Sequence, residues 1–252
     1  MVAFDADKAI DNSKLPELNI LKKKTHNSQK KGILYFEKNG IVIEMTAVVK
    51  NKGGQEKGTI HALAVKTTDK DPVWDMGGLK YDFNKFFKQI ANGNTDKLIS
   101  NMFKKNDTIW GSHHNDKLYG FDGNDNIKGW KGDDYLNGGK GKDKLTGGKG
   151  KDIFAFDQKL TSKNVDKIMD YHVGQDVIHI SKKIFSGFEK GKLGKEYFTK
   201  GNKADADHAQ IIYNAKKGKL FYDSDGTGSA DKKLFFNLQK HKDMTHDDFF
   251  VV

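Results

Sequence analysis

The chain has 252 residues, enough for one or two domains, yet only 36% of them are hydrophobic, so aliphatic burial alone is thin for this length. It has 27 glycines, 2 prolines and no cysteine, which excludes a disulfide framework and leaves metal as the usual substitute staple. The net charge of +10 comes from scattered lysines; it reads as a soluble surface, with attraction to anionic polysaccharide or a membrane surface as the sharper alternative and no specific nucleic-acid partner.

Residues 1–101 read as a small β-rich N-terminal domain with closing helices. Met1 to Lys8 shows no basic stretch followed by an apolar run, so no cleaved N-terminal leader is expected. No apolar run approaches the roughly 18 residues of a membrane helix. Gly32 to Lys38 and Ile41 to Val49 are apolar runs joined by Asn39-Gly40, a strong hairpin signal. A third strand is expected from Gly58 to Lys66. Leu79 to Ala91 carries Phe83, Phe86, Phe87 and Ile90 at helical spacing. Core packing is the expected use of that stripe, and it is placed to cap the next unit; a membrane or partner face is the alternative. A second short helix is expected from Thr95 to Phe103.

Residues 102–155 divide into blocks of nine. They read MFKKNDTIW from Met102, GSHHNDKLY from Gly111, GFDGNDNIK from Gly120, GWKGDDYLN from Gly129, GGKGKDKLT from Gly138 and GGKGKDIFA from Gly147. The sixth position is always aspartate: Asp107, Asp116, Asp125, Asp134, Asp143 and Asp152. The eighth is always apolar: Ile109, Leu118, Ile127, Leu136, Leu145 and Phe154. A glycine-rich disordered linker would not hold an apolar residue in phase through six blocks.

Each block is a turn followed by a short strand. Glycine at positions one and four lets the backbone turn tightly, with positive φ where needed. The strand triplet points its middle residue inward. Successive turns fall on opposite edges, so blocks two apart stack, and each aspartate lies beside the one 18 residues later. Stacked turns then surround a common point with carboxylate and carbonyl oxygens. An all-oxygen cage suits Ca2+ with its six to eight ligands better than Mg2+, and the absence of cysteine or repeated histidine argues against Zn2+. The candidate ligands are Asp107, Asp116, Asp125, Asp134, Asp143 and Asp152, with the turn residues Gly120, Asp122, Gly129, Lys131, Asp133, Gly138, Lys140, Gly147 and Lys149.

This nonapeptide closely resembles the hemolysin-type calcium-binding repeat of secreted RTX proteins. The resemblance implies a calcium-stabilised parallel β-roll with one ion between each pair of stacked turns, about three to four ions in all. The implied pairs are Asp107 with Asp125, Asp116 with Asp134, Asp125 with Asp143, and Asp134 with Asp152. The first blocks depart from the pattern. His114 stands where glycine belongs, Ser112 replaces the second glycine, and the block from Met102 has no glycine. Phe121 and Trp130 occupy position two and are placed to cover one edge of the roll. His113 and His114 read as a surface pair in a degenerate turn. Without metal the aspartates repel one another, so ion binding and folding are expected to be one event.

Residues 156–252 read as a C-terminal cap and secretion region. The segment from Val165 to Ile180 resembles the stretch that follows the repeats in many RTX proteins and caps the roll. Gln210 to Asp223 reads as a hairpin. Asp223 to Asp231 has the composition of an EF-hand loop, but its glycine comes fourth and no glutamate stands at position twelve, so a glycine-rich turn between strands is expected, with a further calcium site as the alternative. The terminal run THDDFFVV resembles the uncleaved C-terminal signal of type I secretion substrates, and it is also a fair β-strand. The resemblance implies an extracellular protein handled by a type I secretion apparatus.

No HExxH, GxSxG or P-loop motif is present, and no enzyme activity is expected. The expected role is a secreted calcium-binding protein acting as an adhesin, matrix component or host-interaction factor. A small membrane-acting protein, or an enzyme with an unrecognised site in residues 1–101, are the alternatives.

Overall fold

The computed structural model describes the backbone of residues 32–38, 41–52, 55–67 and 72–82, and residues 103–111, 113–240 and 242–252 in full. These residues are nearly all β, arranged in two sheets.

Four strands come first: β1 (Gly32–Lys38), β2 (Ile41–Lys52), β3 (Gln55–Thr67) and β4 (Pro72–Asp82). β1 and β2 pair antiparallel with Lys38 opposite Ile41, as expected of a hairpin; Asn39 and Gly40 themselves lie outside the described residues. β3 extends the expected third strand by three residues at its start and one at its end. β4 corrects the sequence reading. Leu79 to Asp82 belong to a strand and not to the start of a helix. Cross-strand pairing holds them there: Tyr81 and Asp82 lie opposite Ile60 and Thr59 of β3. The periodicity signal was carried by aromatics, which suit strands as well as helices. Residues 83–102, with the whole stripe of Phe83, Phe86, Phe87 and Ile90 and the second expected helix up to its last residue, lie outside the described residues. That last residue, Phe103, sits in a bend and is fully buried.

The blocks of nine build a parallel β-roll. Alternate triplets go to opposite sheets. One sheet takes β5 (Thr108–Trp110), β7 (Asn126–Lys131) and β9 (Lys144–Lys149). The other takes β6 (Lys117–Tyr119), β8 (Tyr135–Asn137) and β10 (Ile153–Phe156). All neighbours within each trio pair in parallel at 18-residue spacing, with Ile109 opposite Ile127, Ile127 opposite Leu145, Leu118 opposite Leu136 and Leu136 opposite Phe154. The middle residue of each triplet is buried, as side-chain alternation requires. β4 pairs antiparallel with β5, placing Asp75 opposite Trp110.

The roll continues past its repeats. β11 (Asp166–Ile168) pairs with β9, and β12 (Val177–Ile180) pairs with β10, both parallel. The segment expected to cap the roll therefore adds one more rung to each sheet. Beyond it come β13 (Gly191–Lys192), β14 (Phe198–Lys200), β15 (Gln210–Asn214), β16 (Lys219–Asp223), β17 (Lys233–Asn237) and β18 (Phe249–Val251). β15 and β16 form the expected hairpin. β17 joins β16 to β11, and β18 lies between β12 and β13. The terminal run thus passes from a 3-10 turn at His246–Asp248 into an inner strand, with Phe249 and Val251 buried.

This C-terminal part owns an aromatic core. The Phe156 ring lies 5.6 Å from Phe235 and 5.5 Å from Phe236, and Phe185 stacks edge-on to Phe235 and Tyr222 at 5.1 and 5.0 Å. Such pairs contribute about 0.5–1.5 kcal/mol each beyond the area they bury.

Candidate metal centre in the roll

Each rung of the roll hides one apolar side chain, which contributes about 1.5–3 kcal/mol. Ordering nine backbones costs about 1–2 kcal/mol per residue before hydrogen bonds are counted. The turns therefore have to contribute, and their aspartates sit where they can.

The Oδ1 atom of each repeat aspartate from Asp125 onward accepts a hydrogen bond from the backbone N–H of the aspartate 18 residues earlier. Asp107 donates to Asp125 at 2.8 Å, Asp116 to Asp134 at 2.8 Å, Asp125 to Asp143 at 2.7 Å and Asp134 to Asp152 at 3.0 Å. The four pairs implied by the resemblance are the four pairs brought together, including those from the degenerate first blocks. The ladder then runs two steps further. Asp143 donates to Asp166 and Asp152 to Asp176, each at 3.0 Å. Sequence reasoning missed Asp166 and Asp176 because their spacings of 23 and 24 break the nine-residue period. The available signal was local: Asp166-Lys167-Ile168 and Asp176-Val177-Ile178 keep the aspartate-x-apolar triad of the repeats.

The second carboxylate oxygen has a different fate. Oδ2 of Asp107, Asp125, Asp134, Asp143 and Asp152 is buried without a hydrogen-bond partner. Each of these atoms from Asp125 onward faces the first glycine of its own turn. A Cβ added at Gly120 would sit 2.5 Å from Asp125 Oδ2 and 2.4 Å from the Gly138 carbonyl oxygen. At Gly129 the distances would be 2.1 Å to Asp134 Oδ2 and 2.6 Å to the Gly147 carbonyl oxygen. At Gly111 they would be 2.5 Å to Asp116 Oδ2 and 2.7 Å to the Gly129 carbonyl oxygen. Three cradles thus gather a carboxylate oxygen and a carbonyl oxygen from the next stacked turn, and a side chain would fill them. At Gly138 and Gly147 an added Cβ would meet Asp143 and Asp152 at 2.3 and 2.2 Å.

The expected reason for the first glycine is therefore corrected. It is needed for close approach, while positive φ falls at positions two and four. Gly139 and Gly148 have φ of 82° and 106°, and Gly123, Gly132, Gly141 and Gly150 lie between 109° and 151°. Phe121 (71°) and Trp130 (83°) adopt the same position-two conformation with a side chain attached, a strained arrangement for any non-glycine residue.

Burial without a counter-charge raises the carboxyl pKa values. Desolvation pushes Asp107 up to about 7 and both Asp125 and Asp134 up to about 8, the last two against a backbone hydrogen bond that lowers them. Asp143 and Asp152 rise to about 6. Burial also raises Asp166, with Asp143 beside it, and Asp176. Buried carboxylates of this kind call for a cation. Among the described residues no three His, Cys, Asp or Glu side chains converge on one point, so backbone carbonyls must supply most ligands. That donor set is hard oxygen throughout and fits Ca2+.

The other candidate ligands lie nearer the surface of the turns. The carbonyls of Lys140 and Lys149 accept the Gly123 and Gly132 N–H groups at 2.8 and 2.9 Å. The Asp122 carboxylate pairs with Lys140 Nζ at 2.9 Å in an exposed contact. Asp133 Oδ1 accepts the Lys151 N–H at 2.7 Å, and its own N–H donates to Asn115 Oδ1 at 2.7 Å. Lys131 is exposed and pairs along the strand with Lys149. The position-five side chains thus form an outer ladder, in which Asn124 also links Asn106 to Lys142. Past the repeats, Asp170 accepts the Gly147 and Gly148 N–H groups, both at 2.9 Å, and closes that edge.

Fold and site define a class: a parallel β-roll whose turns carry calcium-binding nonapeptides. Residues 104–127 and 119–154 match the family of RTX calcium-binding nonapeptide repeats, and this stretch is an array of such repeats. Among curated proteins, none matches the chain. Two solution structures are similar, both of subunits of the Azotobacter vinelandii mannuronan C5-epimerase. The AlgE6R3 subunit shares 24% identity over 57% of this chain and 77% of its own, with a TM-score of 0.38. The AlgE6R2 subunit shares 27% identity over 56% of this chain and 89% of its own, with a TM-score of 0.34.

Proposed function

We propose that this chain is a secreted calcium-binding protein whose roll folds on meeting extracellular calcium, holding three to four ions between its stacked turns. The observation that carries this reading is the row of buried, unpartnered Oδ2 atoms, of which those of Asp125 and Asp134 share a glycine cradle with a carbonyl of the next turn. Extracellular modules of this kind bind at about 0.1–1 mM, so the roll stays open inside the cell and closes outside. The terminal run supports export before folding. As strand β18 it is paired on both sides, and a secretion apparatus could read it only from the open chain.

Outside the cell we assign it a binding role as an adhesin or matrix component, without enzyme activity. A cleft of about 660 Å³ beside β16 and β17 supports an anionic polysaccharide as the partner. Lys142, Lys219, Lys232 and Lys233 line it, and no carboxylate does.

Circular dichroism during a calcium titration, with magnesium as control, tests the folding step. A gain of β structure near millimolar calcium that magnesium does not produce is expected, and Gly129→Ala, which fills one cradle, should shift the midpoint upward. A spectrum indifferent to calcium would sink the proposal. Retention on an anionic-polysaccharide column that needs calcium and is lost on neutralising Lys232 and Lys233 tests the binding role.

A further inference from the structure

The turn that follows β16 reads Asp223-Ser224-Asp225-Gly226-Thr227-Gly228, and its register is wrong for an EF-hand. The fold nevertheless gives it the two features that mark the roll cradles. Asp223 is only 6% exposed, and its Oδ1 is enclosed with no hydrogen-bond partner. Asp225 Oδ1 is enclosed and unpartnered as well, although the residue as a whole is half-buried. The other oxygen of Asp225 accepts the Ala230 N–H at 3.0 Å and so closes the loop on itself.

Among the described residues no lysine forms an ion pair with either of them. Burial raises the Asp223 carboxyl above its ordinary range; backbone N–H groups of Asp225 and Gly226 offset part of this, and the adjoining Asp225 carboxylate adds to it. Two neighbouring carboxylates in a partly dry site are costly unless a proton or a cation sits between them.

Carbonyl oxygens crowd the glycine that follows these two aspartates. Gly226 has φ of 65°, and a Cβ there would stand 2.0 Å from the Ala206 carbonyl oxygen and 2.4 Å from that of His208. The Thr227 N–H donates to the Ala206 carbonyl at 2.7 Å, which ties the turn to the loop before β15. With no cysteine and no histidine side chain among these donors, the set is all oxygen and suits a hard cation.

We propose that Asp223 and Asp225 hold a calcium ion outside the repeat array, completed by backbone carbonyls and water, which pins the turn after β16 to the loop at residues 206–208. With only two carboxylates the site falls in the weak, extracellular range of about 0.1–1 mM. Calcium would then order the C-terminal part of the chain as well as the roll.

The test is the number of calcium ions bound by the full chain in native mass spectrometry, compared between wild type and D223N/D225N. The proposal expects one ion fewer in the variant. An unchanged number would overturn it and leave a shared proton between the two carboxyls. Because the result is a difference between variants, it stands whatever number the repeats hold. Hydrogen exchange supplies a second arm should the double variant fold poorly, using D225N alone, since that residue is half-buried. Calcium should slow exchange at residues 223–230 in wild type and lose that effect in D225N; equal slowing in both would overturn the proposal.

Discussion

The repeat array and the C-terminal part fill their interiors by different means. Between Ile109 and Leu145 each rung contributes one aliphatic side chain, flanked by buried aspartates that repel one another. From Phe154 onward the interior widens into a cluster of rings that includes Phe156, Phe185, Phe235 and Tyr222. The first region spends its sequence on turns, with glycine and aspartate at fixed positions and little left to bury. The second gathers apolar residues from many separate strands. Stability that depends on an ion is switchable by its concentration, whereas stability that depends on buried area is not.

Removing calcium should have the largest effect. Three cradles of about 0.1–1 mM affinity, saturated at about 10 mM calcium, contribute about 4–8 kcal/mol by mass action. Chelation should therefore abolish amide protection across residues 105–152 while residues 209–238 keep more of theirs. Equal loss in both regions, read by hydrogen exchange, would break the comparison.

Phe156→Ala should cost about 3–5 kcal/mol, as deletions of buried rings do. The loss should be nearly the same at every calcium concentration that folds the roll. Denaturant melts at two calcium levels measure it, and a strong calcium dependence would show that the two interiors act as one.

Acidity should act on the roll in opposite directions with and without the ion. The repeat aspartates have folded pKa values raised to about 6–8 from 3.8. In chelator, their contribution to folding is full below about pH 4 and is lost as pH rises through about 6–8. The metal-free chain should thus gain β structure when taken from about pH 8 to about pH 5. In calcium, protons compete for the same oxygens, so the calcium midpoint should move to higher concentration on acidification.

The smallest effect separates two strained residues. Trp130 is 42% exposed and keeps a positive φ, so Trp130→Gly should stabilise the roll by about 0.5–1 kcal/mol. Phe121 shares that backbone but packs on Phe103 at 5.3 Å, so Phe121→Gly should destabilise. Thermal melts in calcium distinguish the two.

Much of the roll was legible because its determinants are local and periodic. A strict nine-residue repeat with Asp and an apolar residue in phase leaves few ways to coil, and Asn39-Gly40 admits few turns. Where the period breaks, legibility fails. Asp166 and Asp176 complete the aspartate ladder after loops of irregular length, and Asp170 closes one edge through the amides of Gly147 and Gly148. Leu79 to Asp82 carried no decisive local signal, and pairing with β3 decided their state.

By itself the sequence determined the repeat, the pairing of aspartates 18 residues apart, the inward apolar ladder and the hard-oxygen chemistry of the turns. These follow from side-chain alternation and turn stereochemistry, which act over a few residues. Only the tertiary structure decided that the roll extends through β11 and β12, that the end of the terminal run becomes an inner strand, and that one carboxylate oxygen each of Asp223 and Asp225 is enclosed without a hydrogen-bond partner. Each of those depends on what a distant segment places alongside, and burial is a property of the assembled chain and not of any window within it.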